Sequence, residues 1–194
     1  MKIPFSPPDV GGAELGQVAE TLESGWITTG PKTKQLEREI AEYCKAGRAV
    51  CLNSQTACAE MTLRVLGVSA GDQAITSAYT YTASASVACH VGAKLVLIDT
   101  QKDSYEMDYG KLADSINENT KVIIPVDIGG VPCDYATLFS IVESRKSLFR
   151  PSNELQEAIG RVVIMADAAH AFGAVWEGKP VGSIADFSNF SFHA

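Results

Sequence analysis

An α/β fold, with a mainly parallel sheet carrying helices on both faces, is predicted for this 194-residue sequence by three observations. A short apolar strand, a small polar switch and a helix recur in that order along the chain, which is the pattern of parallel α/β proteins. Val162 to Ala166 is an unbroken apolar run, as a strand buried on both faces of a parallel sheet requires. The first two helical stretches repeat apolar residues at helical spacing, so each has one face to bury.

Taken in order, Ile3 to Pro8 reads as an extended arm, because prolines at 4, 7 and 8 forbid a helix there. Leu15, Val18, Ala19 and Leu22 predict a helix over about Gly12 to Ser24, closed by Gly25. Trp26 to Pro31 is a loop with an aromatic, two hydroxyls and a Gly-Pro turn. A second amphipathic helix fits Lys32 to Ala46, with Leu36, Ile40, Tyr43 and Cys44 inward. Then the recurrent pattern begins. Strand Ala49 to Leu52 leads through Asn53-Ser-Gln-Thr56 into a helix to Leu66. Strand Asp72 to Thr76 leads through Ser77 to Tyr81 into a helix of small residues to about His90. Lys94 to Ile98 ends at Asp99, and Lys121 to Val126 ends at Asp127 before a helix near Tyr135 to Ser144. A polar insert around Arg150 to Asn153 and a helix near Glu154 to Ile159 precede the Val162 strand, which ends at Asp167. Right-handed crossovers gather such switch segments along one edge of a sheet.

Composition narrows the function classes. The chain is 46% apolar and 20% charged, ordinary for a soluble globular protein. Lys and Arg total 16 against 23 Asp and Glu, with no basic run, which argues against nucleic acid. No stretch of 18 apolar residues or signal core is present, and the expectation is a cytoplasmic enzyme or binding protein. Five cysteines without CxxC spacing read as reduced, mostly buried small hydrophobes. Three histidines without ligand spacing imply no metal.

The switch segments carry the candidate chemistry. Asp167 at the C-terminal edge of the sheet either caps a following helix or, as an ionised group, meets a cation such as a protonated pyridine nitrogen. Asn53-Ser-Gln-Thr56 either caps its helix or offers that helix's free N–H groups to a phosphate. Tyr79 and Tyr81, sent to opposite sides by strand alternation, are either core residues or a plate for a planar ring. His170 is either a structural residue or a member of the same edge. No GxGxxG or GxxxxGK[ST] points to a dinucleotide or nucleotide site. A phosphate cradle, an aromatic plate and a carboxylate on one edge are together what pyridoxal phosphate requires.

Gly25-Trp-Ile-Thr-Thr-Gly-Pro31, Asn53-Ser-Gln-Thr-Ala57, Thr80-Tyr-Thr-Ala-Ser84, Gly92 to Asp99, Ala166-Asp-Ala-Ala-His-Ala171 and Phe190-Ser-Phe-His193 occur in the order seen in the DegT/DnrJ/EryC1/StrS aminotransferases, which the sequence resembles over nearly its whole length. The resemblance implies the large domain of a fold type I enzyme dependent on pyridoxal 5'-phosphate. Residues 1–31 would be an arm, helix and substrate-facing loop, and 32–194 an incomplete cofactor-binding domain. It assigns Asp167 to the pyridine nitrogen, Tyr81 to the ring face, Gln55, Thr56 and Ser191 to the phosphate, and His170 to the cofactor's hydroxyl side. Trp26, Thr29 and Gly30 fall in the substrate-facing segment. The implied reaction moves an amino group from an amino acid, glutamate, to a keto sugar carried on a nucleotide, in a homodimer without nucleic acid or membrane partners. A sugar dehydratase of the same family and a non-catalytic binding module are the alternatives. The sequence departs from the family pattern in three places: Gln55 replaces a small residue, the insert near Lys146 to Glu157 is long and would enlarge a surface loop, and the chain stops at Ala194 before the Schiff-base lysine and the C-terminal domain.

Overall fold

The computed structural model describes residues 8–193, so the arm expected over Ile3 to Pro8 lies, except for Pro8, outside the described residues. Two compact units emerge: residues up to 51 together with 192–193, and residues 52–191.

The first unit contains helices α1 (Gly12–Glu23) and α2 (Pro31–Tyr43). The Gly11 N–H donates to Glu14 Oε2 at 2.6 Å, so an acidic side chain closes the start of α1. Proline opens α2, where its missing N–H costs nothing. Lys32 Nζ reaches Gln17 Oε1 and Glu20 Oε2, each at 2.5 Å, tying the first turn of α2 to α1. Helix α2 stops at Tyr43, short of the expected Ala46, because Lys45 turns into the left-handed region at φ 52°. The expected inward face of α2 is also corrected. Leu36 and Tyr43 are exposed, and of the four residues read as inward only Cys44 is buried. Periodicity identified the helices, whereas burial depends on a neighbour that lies outside their own spacing.

The second unit is the α/β body. In chain order it comprises α3 (Gln55–Val65), β1 (Gln73–Ser77), α4 (Thr82–His90), β2 (Lys94–Ile98), α5 (Tyr109–Ser115), β3 (Thr120–Ile124), α6 (Tyr135–Ser144), α7 (Glu154–Ile159), β4 (Val163–Asp167), β5 (Val175–Trp176), β6 (Lys179–Pro180) and β7 (Phe187–Asn189). The expected strand over Ala49 to Leu52 does not form: the run has no regular secondary structure, Val50 is 70% exposed, and no strand among the described residues pairs with it. Helix α5, the short antiparallel pair β5 and β6, and strand β7 were not expected. Their runs are too short or too polar for periodicity to register.

Strands β2, β1, β3, β4 and β7 form one sheet in that order, every pair parallel. Ala74, Val122, Ile124, Val163 and Met165 point to the face covered by α3 and α4, where they meet Ala59, Leu63, Val87 and Ala88. Ile75, Ile123, Ile164 and Ala166 point to the other face, against Leu112 of α5 and Leu138 and Val142 of α6. This alternation is why the strands read as unbroken apolar runs. The chain moves from β1 outward to β2 across one face and returns to β3 across the other, as a constant crossover handedness demands. Direction reverses between β1 and β3, which makes the C-terminal ends of the strands there the natural ligand crevice.

The insert does more than enlarge a loop. Asn153 Nδ2 and Gln156 Nε2 both donate to the Leu66 carbonyl, at 2.9 and 2.8 Å, so α7 closes the C-terminal end of α3. Gln156 is 1% exposed. Of the five cysteines, Cys44 and Cys133 are buried, Cys51 and Cys58 are half-buried and Cys89 is exposed, so fewer are interior than composition suggested. No helix of the described residues is long and apolar enough to cross a membrane.

Candidate functional site

Asp167 is the last residue of β4 and 6% exposed. Its side chain shares the parity of Val163 and Met165, which places it on the α3 and α4 face of the sheet. The Ser84 hydroxyl on α4 donates to its Oδ2 at 2.5 Å, and the Ala169 N–H donates to its Oδ1 at 3.2 Å. Among the described residues no lysine or arginine pairs with it. A turn follows β4 in place of a helix, so Asp167 is not a helix cap. An ionised carboxylate so placed is held by neutral donors and still lacks a counter-charge.

Its neighbour is another acid. Asp127 follows β3, is 1% exposed, and donates its N–H to the Asp167 carbonyl at 3.0 Å. Its carboxylate accepts from the Cys133 N–H at 3.0 Å and the Tyr135 hydroxyl at 3.0 and 3.1 Å. Burial pushes its pKa up to about 6; those hydrogen bonds oppose the shift, and the nearby Asp167 charge adds to it. Burial likewise raises the Cys133 thiol and the Tyr135 hydroxyl far above their ordinary ranges, so both remain neutral donors.

Gln55 and Thr56 form the first turn of α3. Ser54 is the N-cap and accepts from the Ala57 N–H at 3.1 Å, which leaves the N–H groups of Gln55 and Thr56 without intrahelical acceptors. Capping and an open anion site therefore coexist. The Gln55 side chain is buried, with Nε2 lacking any acceptor among the described residues. Asn189, the register partner of Asp167 on β7, is 5% exposed and its Nδ2 is likewise unpartnered. Two buried amide donors without acceptors suit a site that receives an anion. Ser191 is half-buried and follows β7.

Tyr81 stands at the N-cap of α4 and is 80% exposed. The core reading of the two tyrosines, and the strand alternation behind it, are corrected, because residues 78–80 form a bend and both rings are exposed. Tyr79 stacks on Tyr105 at 5.2 Å between centroids. His170 lies in the turn after β4, where its Nδ1 accepts the Gly129 N–H at 3.2 Å. That bond holds Nδ1 unprotonated and leaves the hydrogen of the neutral ring on Nε2. Gly130, at φ 79°, permits the contact: a Cβ there would come within 2.9 Å of the His170 carbonyl oxygen.

The parallel sheet thus brings Tyr81, Asp167, His170 and Ser191 to the ends from which its strands emerge, with Gln55 and Thr56 opening a helix packed on the same face as Asp167. Trp26, Thr29 and Gly30 belong to the first unit, where Trp26 Nε1 donates to the Thr29 carbonyl at 3.1 Å. Sequence reasoning missed Ser84, Asp127 and Asn189. Ser84 had a signal, as a polar residue on the buried stripe Ala83, Ser84, Val87, Ala88 of α4. Asp127 had the same signal as Asp167, an acid ending an apolar strand. Asn189 had none.

A sequence model of the DegT/DnrJ/EryC1/StrS aminotransferase family matches residues 8–194. The spore coat polysaccharide biosynthesis protein SpsC of Bacillus subtilis (strain 168) is 35% identical over 192 residues, covering 99% of this chain and 46% of that protein. A putative sugar aminotransferase from Streptococcus pneumoniae, solved in its PLP form, is 55% identical, with a TM-score of 0.99 over 100% of this chain and 50% of that one. The structure of 3-amino-5-hydroxybenzoic acid synthase is 32% identical, with a TM-score of 0.84 over 99% of this chain and 47% of that one. The chain spans about half the length of the relatives it matches.

Proposed function

Because the chain belongs to the DegT/DnrJ/EryC1/StrS aminotransferase family, we propose that it is the cofactor-holding part of a cytoplasmic, pyridoxal 5'-phosphate-dependent aminotransferase. The reaction moves an amino group from an amino acid, glutamate, to a keto sugar linked to a nucleotide. The observation that carries this reading is Asp167: a buried carboxylate at the C-terminal edge of the sheet, supplied with neutral donors and lacking a cation among the described residues. The residues present fit the group. Asp167 holds the proton on the pyridine nitrogen; the first turn of α3 at Gln55 and Thr56, with Ser191, takes the phosphate; the exposed ring of Tyr81 covers one face. His170, with its hydrogen kept on Nε2, presents a donor to the cofactor's hydroxyl side. The unpartnered amides of Gln55 and Asn189 are a mark of fit, since a bound anion would supply the acceptors they lack.

When bound, pyridoxal phosphate supplies an electron sink for the carbon whose amino group is exchanged. The chain's part is to keep the ring nitrogen protonated, to hold the phosphate against a helix N-terminus, and to exclude water with the buried strands β3 and β4. Residues 32–194 form the cofactor-binding part within this reading, and Trp26, Thr29 and Gly30 face substrate. The assembly is a homodimer, as light scattering on the full-length protein at micromolar concentration would test.

Titrating pyridoxal phosphate into full-length protein is expected to give a visible absorbance change, and Asp167→Asn to weaken uptake at least tenfold. No absorbance change in the wild type sinks the assignment. A glutamate half-reaction that fails to convert the bound cofactor to its amine form would remove glutamate as donor.

A further inference from the structure

We propose that Ser84 is a positioning residue for the cofactor: with Thr80 behind it, its hydroxyl fixes the Asp167 carboxylate in the orientation that receives the ring nitrogen. This rests on the function proposed above and assigns a role to two residues that it does not use.

Ser84 is 1% exposed and sits in the first turn of α4, between Ala83 and the buried pair Val87 and Ala88. Its Oγ lies 2.5 Å from Asp167 Oδ2 and 2.7 Å from Thr80 Oγ1. The first distance is that of a hydroxyl donating to an ionised oxygen. A serine has one hydrogen, and an ionised carboxylate only accepts. Ser84 therefore gives its hydrogen to Asp167, and in the other pair Thr80 must be the donor. The hydroxyls run in one direction, from Thr80 to Ser84 to Asp167, and each strengthens the next.

The consequence falls on Asp167. Ser84 holds Oδ2 and the Ala169 N–H holds Oδ1, so the carboxylate plane is pinned at both oxygens and its remaining lone pairs are available to the ring nitrogen. The arrangement also opposes the acid next door. Asp127 is anchored by the Tyr135 hydroxyl and the Cys133 N–H, neither of which donates to Asp167, so Ser84 is the one side-chain donor on Asp167 among the described residues. Removing it would leave the charge with a single backbone donor beside another carboxyl group.

The test uses the full-length protein with Ser84→Ala, Ser84→Thr and Thr80→Val. Measured by equilibrium dialysis, Ser84→Ala should bind pyridoxal phosphate about tenfold more weakly and alter the visible spectrum of what is bound. Ser84→Thr, which keeps the hydroxyl, should restore both, and Thr80→Val should weaken binding about threefold. A residue that only supports α4 would change the unfolding midpoint of the cofactor-free protein and leave spectrum and affinity alone. Wild-type affinity and spectrum in Ser84→Ala, or binding by Ser84→Thr as weak as that of Ser84→Ala, overturns the proposal while the functional reading stands. Should Ser84→Ala not fold, unchanged affinity in Thr80→Val overturns it equally. A wild type that takes up no cofactor overturns the functional reading itself.

Discussion

Asp167 ends β4 and Asp127 follows the adjacent β3, yet their surroundings separate them. Asp127 is enclosed, and its pKa of about 6 lies above that of an unfolded aspartate. Between about pH 4 and 6 the unfolded chain has released this proton and the folded one retains it. Folding stability therefore falls as pH rises through that window, the contribution being complete below it and lost above it. The size is on the order of 2 to 3 kcal/mol. Asp127→Asn should flatten this part of the dependence, as urea midpoints of wild type and variant at pH 4.5 and 7 would show; parallel curves would refute it. Gly30 gives a second prediction at this scale. A Cβ there would fall 2.3 Å from the Trp26 ring, which Nε1 fastens to the Thr29 carbonyl. Trp26 is already 57% exposed, so Gly30→Ala should free the indole from this contact and lower the anisotropy of its fluorescence, and an unchanged anisotropy would show that the ring is not held as described.

At the scale of elements, α3 is the member whose placement matters most, because its first turn faces the proposed anion site. Leu63 and Ala59 seat it on the sheet, and α7 closes its far end through Asn153 and Gln156. The Leu66 carbonyl accepts from both amides, so either alone satisfies it. Asn153→Ala and Gln156→Ala should each cost about 1 kcal/mol, and the double variant more than their sum, since only then is the carbonyl left bare. Additive losses in chemical denaturation would remove the shared-acceptor account. Leu63→Ala should cost roughly 2 to 5 kcal/mol, the ordinary range for a fully buried leucine. Helices α1 and α2, β1 to β4, and α6 and α7 were legible from spacing. The run Ala49 to Leu52 misled because an apolar tetrapeptide becomes a strand only beside an edge that can accept its hydrogen bonds.

For the whole molecule, the proposed cofactor should act as a folding ligand. Pyridoxal phosphate at a hundred times its dissociation constant should add about 2.7 kcal/mol to the stability of the full-length protein, and Asp167→Asn should lose most of that gain at the same concentration. An unfolding midpoint indifferent to the cofactor would contradict the site. The sequence by itself determined the α/β class, the order of most elements and the carboxylate that ends β4, because those follow from local spacing and from the cost of burying an unpaired charge. Only the tertiary structure decided what surrounds that carboxylate. Ser84 lies 83 positions away, Asp127 comes from the segment that follows the neighbouring strand, and Asn189 from a strand too short to announce itself. Such partners are chosen by strand order and helix packing, and a periodicity of two or 3.6 residues carries no information about which strand will lie beside which.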